Sequence, residues 1–157
     1  VLLTHGHFDH CGGAKPIVEK YGVPVYGSEK DAALAASASK NLWGVFCHDC
    51  KITDYVDGID SFSVGSFSFG VMKTPGHTPG GVCYFIDDIM FSGDTLFKEC
   101  IGRIDLPGGD YREMMDSLSK IALIDKNYKV YAGHEENTDL FHEFRFNPYL
   151  SAFKRSK

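Results

Sequence analysis

Four side chains able to bind a metal fall within six residues in Thr4-His5-Gly6-His7-Phe8-Asp9-His10. Imidazole nitrogens and a carboxylate oxygen are donors that suit zinc, iron or manganese. His5 and His7 point the same way only if the backbone between them is extended. Asp9 and His10 then need a turn, which Gly12-Gly13 helps to accommodate. A histidine-bearing surface loop would carry the same residue types, but this segment follows an apolar stretch and includes an aspartate.

Three further positions share that chemistry. His77 lies in Thr74-Pro75-Gly76-His77-Thr78-Pro79-Gly80-Gly81, where a Pro-Gly turn on each side fixes the backbone around one imidazole. Asp94 follows Ser92-Gly93, and His134 follows Gly133. Alone, each reads as an ordinary turn residue or surface histidine. Together they place five of the chain's seven histidines directly after predicted strands. Strand ends gathered on one sheet edge are where α/β proteins commonly assemble sites.

The elements that must hold these residues follow from periodicity. Strands are expected over Val1–Thr4 and Val23–Tyr26. Helices are expected over Gly12–Tyr21, with Ala14, Ile17, Val18 and Tyr21 on one face, and over Ser28–Ser37 with Ser28 as N-cap. Asn41 to Asp60 reads as loop. Phe62 and Val64, then Phe67, Phe69 and Val71, alternate around a Gly65-Ser66 turn, and a second hairpin over Val82–Phe91 turns at Asp87-Asp88. Asp110 and Glu113 resemble a capping box opening a helix with Tyr111, Met114, Met115, Leu118 and Ile121 on one stripe. A strand over Lys129–Ala132 and a closing helix over Asn137–Phe146 complete the chain as one domain, residues 1–157.

Composition narrows the function classes. The 157 residues are 43% hydrophobic and 24% charged, ordinary for a globular chain. A net charge of −5 argues against nucleic-acid binding, and the basic tail Lys154-Arg155-Ser156-Lys157 reads as a solvated terminus. No apolar run is long enough to span a membrane. Five scattered cysteines do not form a disulfide framework, so a reducing, cytoplasmic compartment is expected. Cys47-His48-Asp49-Cys50 could hold zinc or do redox work, but with no βαβ pattern around it reduced structural thiols are preferred. Cys11 reads as a small buried filler beside His10.

In family order, the segments THGHFDH, TPGHTPG, SGDTLF, IGRIDLPGGD and AGHE resemble the metallo-β-lactamase superfamily, most closely its glyoxalase II (hydroxyacylglutathione hydrolase) branch. The resemblance runs from Thr4 to Glu135. It implies an α+β fold, a four-layer αββα sandwich, here expected to lack the strands that precede the first motif, since the chain starts at Val1. It implies a two-metal centre in which His5, His7 and His77 bind one ion, Asp9, His10 and His134 the other, and Asp94 bridges both. The ions are expected to be zinc, with iron or manganese as alternatives. The implied reaction is attack of a metal-bridging hydroxide on a hydroxyacyl thioester such as S-lactoylglutathione, with Asp9 and Asp94 as catalytic residues and a small-molecule thioester as the partner. Arg103 matches a basic residue that contacts the thiol substrate; Asp105 stands where an aromatic contact is expected. The chain ends soon after Asn147-Pro148-Tyr149-Leu150, so the short bacterial members resemble it better than those with a helical C-terminal domain. A persulfide dioxygenase with one iron on His5, His77 and Asp94 ranks second, ahead of lactonases and β-lactamases. An inactive metal-binding fragment is a further alternative.

Overall fold

A computed structural model describes residues 1–154, so residues 155–157 of the basic tail lie outside the described residues. The expected first strand is reduced to one bridge from Leu2 to Tyr26, with the Leu3 N–H donating to the Tyr26 carbonyl. The His-rich segment then winds into a one-turn helix, α1 (Phe8–Cys11), closed by the Gly12 N–H on the Phe8 carbonyl at 2.8 Å. Helix α2 (Ala14–Tyr21) ends at left-handed Gly22. Of its expected apolar face only Ala14 is buried; Ile17 and Tyr21 are 45% and 64% exposed. Strand β1 (Tyr26–Gly27) pairs in parallel with β2 (Asp54–Tyr55), which lies inside the segment read as loop.

The helix expected over Ser28–Ser37 is broken. Ser28 caps it as expected, its hydroxyl accepting from the Lys30 N–H at 3.3 Å. A 3-10 turn over Glu29–Asp31 then leads to the short α3 (Ala32–Ala35) and a second such turn over Ala38–Lys40. Asp31 is turned inward, where its carboxylate serves two other loops, and alanine's helix propensity yields to that tertiary demand.

The alternating segments form a meander of β3 (Ser61–Val64), β4 (Phe67–Lys73), β5 (Val82–Ile86) and β6 (Ile89–Gly93), with Asp87 left-handed in the last turn. A small hairpin that periodicity did not reveal follows, β7 (Leu96–Phe97) and β8 (Cys100–Ile101). Helix α4 (Tyr111–Ile121) carries the chain across to β9 (Lys129–Ala132), which lies parallel to β6, and β10 (Thr138–Asp139) closes that edge. Helix α5 (Leu140–Phe146) starts later than expected because Asp139 accepts from the His142 N–H at 3.0 Å and sets the N-cap. Helix α6 (Pro148–Lys154) restarts with proline at its first position, where a missing N–H costs nothing.

The six-stranded mixed sheet has the order β10-β9-β6-β5-β4-β3. Met90 and Val130 on its covered face pack with Leu96, Met114, Leu118, Ile121, Leu140 and Leu150, all fully buried. This core fixes β6 and β9, whose ends carry Asp94 and His134, and α4, which holds down the His77 loop. No helix among the described residues is long and apolar enough to cross a membrane.

Candidate metal centre

All seven residues expected to bind metal come together at one sheet edge. Parallel pairing aligns the C-terminal ends of β6 and β9, with Gly93 opposite Ala132, so Asp94 and His134 emerge side by side. His7 is extended (φ −66°, ψ 150°) and caps α1, which carries Asp9 and His10. His77 projects from the loop between β4 and β5. That loop is held down by α4: the Asp110 N–H donates to the Gly76 carbonyl at 2.8 Å, and the Ser117 hydroxyl to the Pro75 carbonyl at 2.7 Å. The Asp110 carboxylate accepts from the Glu113 N–H at 2.9 Å, one half of a capping box; its own N–H is already used by Gly76.

The donor atoms fall into three overlapping groups, each within 4.8 Å: His5 with His7 and His77; Asp9 with His10 and His134; and His5 with His10 and Asp94. His7 Nδ1 lies 2.9 Å from His77 Nε2, and His10 Nε2 lies 3.2 Å from His134 Nε2. Asp94 sits between the clusters, with Oδ1 3.3 Å from His10 and Oδ2 3.3 Å from His77 and 3.6 Å from His134. Asp9 Oδ2 is 3.1 Å from His134 and 3.7 Å from His10.

This arrangement fits cations. His77 Nδ1 must donate to the Arg103 carbonyl, 2.7 Å away, which leaves the Nε2 lone pair facing the Asp94 carboxylate. In the neutral ring that lone pair, with the Asp94 carboxylate 3.3 Å and His7 Nδ1 2.9 Å away, is placed to share a cation with them. His5 Nε2 and Asp94 Oδ1 are buried without a hydrogen-bond partner, a costly state that a metal bond would relieve. Burial holds the His5 imidazole well below its usual range, reinforced by the rings of His10, His77, His7 and His134. Burial also lowers His7 and His10. Neutral imidazoles are the form that binds metals.

Two buried carboxylates that support the site escaped sequence reasoning. Asp31, 1% exposed, accepts from the Gly6 N–H at 2.8 Å, the Thr78 hydroxyl at 2.7 Å and the Gly80 N–H at 2.8 Å. It therefore ties the loop carrying His5 and His7 to the loop carrying His77. Glu143, fully buried, accepts from the Glu99 N–H, the Asn147 amide and the Thr138 hydroxyl. The Asn147 amide also donates to the Cys100 carbonyl at 2.9 Å, which pins the β7–β8 hairpin to α5. Close approach makes Gly133 necessary, since a methyl group there would overlap Asp94 Oδ1 and the His10 ring.

A cleft of about 540 Å³ opens beside the donors, lined by Phe8, Trp43, Val45, Phe97, Ile101 and Leu106 among others. Arg103 lines it too, with its guanidinium engaged by the Asp105 carboxylate. Behind the donors, Cys11 packs with Leu3, Val25 and Cys50, and its thiol faces the Gly6 carbonyl at 3.5 Å. A hydrogen bond with Cys50, then burial, pushes the Cys11 thiol up. Cys47 Sγ lies 3.2 Å from the Ala38 carbonyl.

Comparison with known proteins gives consistent matches. Residues 1–134 match the model of the metallo-beta-lactamase superfamily. The chain is 35% identical to a Bacillus subtilis (strain 168) protein named "Probable metallo-hydrolase YqgX", over 98% of this chain and 76% of that one. It is 34% identical to "Hydroxyacylglutathione hydrolase GloC" of Haemophilus influenzae, over 97% of this chain and 76% of that one. Among solved structures, "BLEG-1 B3 metallo-beta-lactamase" superposes with a TM-score of 0.88 at 34% identity, covering 96% of this chain and 76% of that one. "TTHA1623 in a di-iron-bound form" superposes with a TM-score of 0.84 at 35% identity, covering 95% and 76%.

Proposed function

The chain belongs to the metallo-beta-lactamase superfamily, and we propose that it uses two divalent cations to hydrolyse a hydroxyacyl thioester. The observation that carries the proposal is the position of Asp94, within 3.3 to 3.6 Å of His77, His10 and His134, so that one carboxylate faces both donor clusters. In this reading His5, His7 and His77 hold one cation, Asp9, His10 and His134 the other, and Asp94 bridges them. Zinc is the expected metal, and iron or manganese suits the same donors. When bound, such a pair supplies hydroxide from water near neutral pH and positive charge for the carbonyl oxygen under attack.

The chain's own residues prepare that chemistry. The Arg103 carbonyl fixes the His77 tautomer, and Asp31 fixes the spacing of the two histidine loops. Asp9, exposed at the cleft, would hold the second cation beside His134 and so set where the attacking water is presented, which is its catalytic role in this reading. The apolar walls contributed by Phe8, Trp43 and Phe97 hold substrate and exclude bulk water. A thiolate leaves readily, so the site needs no protein nucleophile. The name of the Haemophilus influenzae relative supports a thioester, and the di-iron form of a similar structure supports two cations. The five free thiols fit the reducing compartment expected for it.

Thiol release from a panel of thioesters by metal-loaded protein tests the reading. Asp94→Asn is expected to reduce the rate by about a thousandfold or more, because it disturbs both donor clusters. Full activity with both metals retained would refute it. Oxygen consumption with a glutathione persulfide, and no thioester cleavage, would move the assignment to a dioxygenase.

A further inference from the structure

The cleft beside the donors shares His7, Phe8, Trp43 and Leu106 with a second cavity of about 260 Å³. Ser37, Lys40 and Asn41 also line that cavity, and two of the three are spent on the fold. The Asn41 amide group donates to the Ala38 and Val45 carbonyls at 3.1 and 2.7 Å, and its oxygen accepts from the Trp43 and Val45 N–H groups at 3.2 and 3.0 Å. It thereby shapes the loop that presents Trp43 to both cavities. The Ser37 hydroxyl donates to the Ala33 carbonyl at 2.8 Å. Lys40 differs. Its side chain is exposed and, among the described residues, has no ion-pair partner. Asp49 feels that charge, yet its carboxylate accepts from the Ser39 N–H at 2.8 Å and forms no ion pair with Lys40. The cations of the neighbouring cleft are already matched, Arg103 by Asp105 at 2.7 Å and Lys98 by Glu136.

Resting on the thioester reading above, we propose that the second cavity is a subsite for one arm of the substrate, an apolar chain ending in a carboxylate, with Lys40 as the cation that receives the carboxylate. The volume lies just below the roughly 300 Å³ at which pockets for whole small ligands begin, which suits one arm of a molecule whose reacting centre lies at the donors. The chain is buried against Phe8, Trp43 and Leu106, and that burial supplies most of the affinity. Lys40 chooses the terminus. Because it is exposed, its contribution is a modest selectivity rather than tight binding.

Trp43 is the sole tryptophan of the chain and lines both cavities, so its fluorescence reports ligand binding. The experiment titrates metal-loaded protein with 6-(ethylthio)hexanoate and with its uncharged amide, 6-(ethylthio)hexanamide. The carboxylate is expected to bind about two- to fivefold more tightly. That preference should vanish in Lys40→Gln, persist in Lys40→Arg and shrink at high salt. Equal binding of the two ligands, binding of neither, or a preference that survives Lys40→Gln would overturn the proposal; the last result would put the carboxylate at the metal donors or Arg103. Hydrolysis shows which arm of the substrate enters. A lower KM for S-lactoyl-6-mercaptohexanoate than for its terminal amide, lost in Lys40→Gln, places the carboxylate on the thiol. The same pattern with S-adipoyl-N-acetylcysteamine and its terminal amide places it on the acyl group. Cleavage of all four thioesters with no difference that depends on Lys40 sinks the subsite and leaves thioester hydrolysis standing. Binding that depends on Lys40, without cleavage of any of them, supports the subsite and refutes thioester hydrolysis.

Discussion

Replacing Asp31 by asparagine isolates the contact that sets the spacing of the two histidine-bearing loops. Oδ2 accepts from the Gly6 N–H and the Thr78 hydroxyl, and Oδ1 from the Gly80 N–H, all at 2.7 to 2.8 Å and out of solvent. An asparagine keeps one oxygen. If it faces Gly6 and Thr78, the side-chain NH2 group meets the Gly80 N–H, donor against donor. One charge-assisted hydrogen bond worth about 1.5–3 kcal/mol is lost, and the surviving two fall to roughly half their strength. An amide is less costly to bury than a carboxylate, which offsets part of the loss. The net destabilisation is about 2–4 kcal/mol. For a chain of this size that lowers the melting temperature by about 4–16 °C. Differential scanning calorimetry on metal-free protein measures the effect without contribution from bound ions. Metal affinity should also weaken, by about tenfold or more, because Gly6 separates His5 from His7 and Gly80 ends the His77 loop. A melting temperature within about 2 °C of wild type, the smallest shift that 1 kcal/mol produces in a chain of this size, together with unchanged metal affinity, would refute this role for Asp31.

Three further outcomes follow from the same geometry. Gly133→Ala should expel at least one metal while leaving the helices intact, since the added methyl group overlaps Asp94 Oδ1 and the His10 ring; elemental analysis beside circular dichroism reads both. Glu143→Gln should cost about 1–3 kcal/mol and raise KM more than it lowers kcat, because the β7–β8 hairpin it anchors carries Phe97, Cys100 and Ile101 of the cleft wall. Metal-free protein should lose stability as pH falls below 6.5, the unperturbed histidine value. Folding holds His5, His7 and His10 below that value, so the unfolded chain takes up more protons there; stability is level above it and drops by up to about 1.4 kcal/mol per pH unit for each histidine. Chemical denaturation at a series of pH values checks the slope, and a flat profile would contradict it.

The clustering of the seven candidate metal ligands was legible because their constraints are local. Histidines at alternate positions after a strand, and a histidine between Pro-Gly turns, declare a mount within a few residues. The meander from Ser61 to Gly93 was legible for the same reason, since alternation is a nearest-neighbour signal. Asp31 was not, because its three donors lie 25, 47 and 49 residues away and a carboxylate early in an alanine-rich segment reads as ordinary helix-start charge. Glu143 was hidden likewise, in a helix whose outer positions are also charged; its partner Glu99 lies 44 residues away. The β7–β8 hairpin is two residues per strand, too short to show a period. Helix α2 misled in the other direction: Ile17 and Tyr21 have apolar spacing, yet both are exposed, Ile17 lining a surface cavity with Val1, Leu2 and Phe67.

In the proposed reading one carboxylate, Asp94, joins two clusters of donors into a single two-metal centre. Elemental analysis of purified, folded protein tests it most directly. About two transition-metal ions per chain are expected, falling to one or none in Asp94→Asn. One iron per wild-type chain, or a folded wild-type chain that takes up no metal at all, would contradict it.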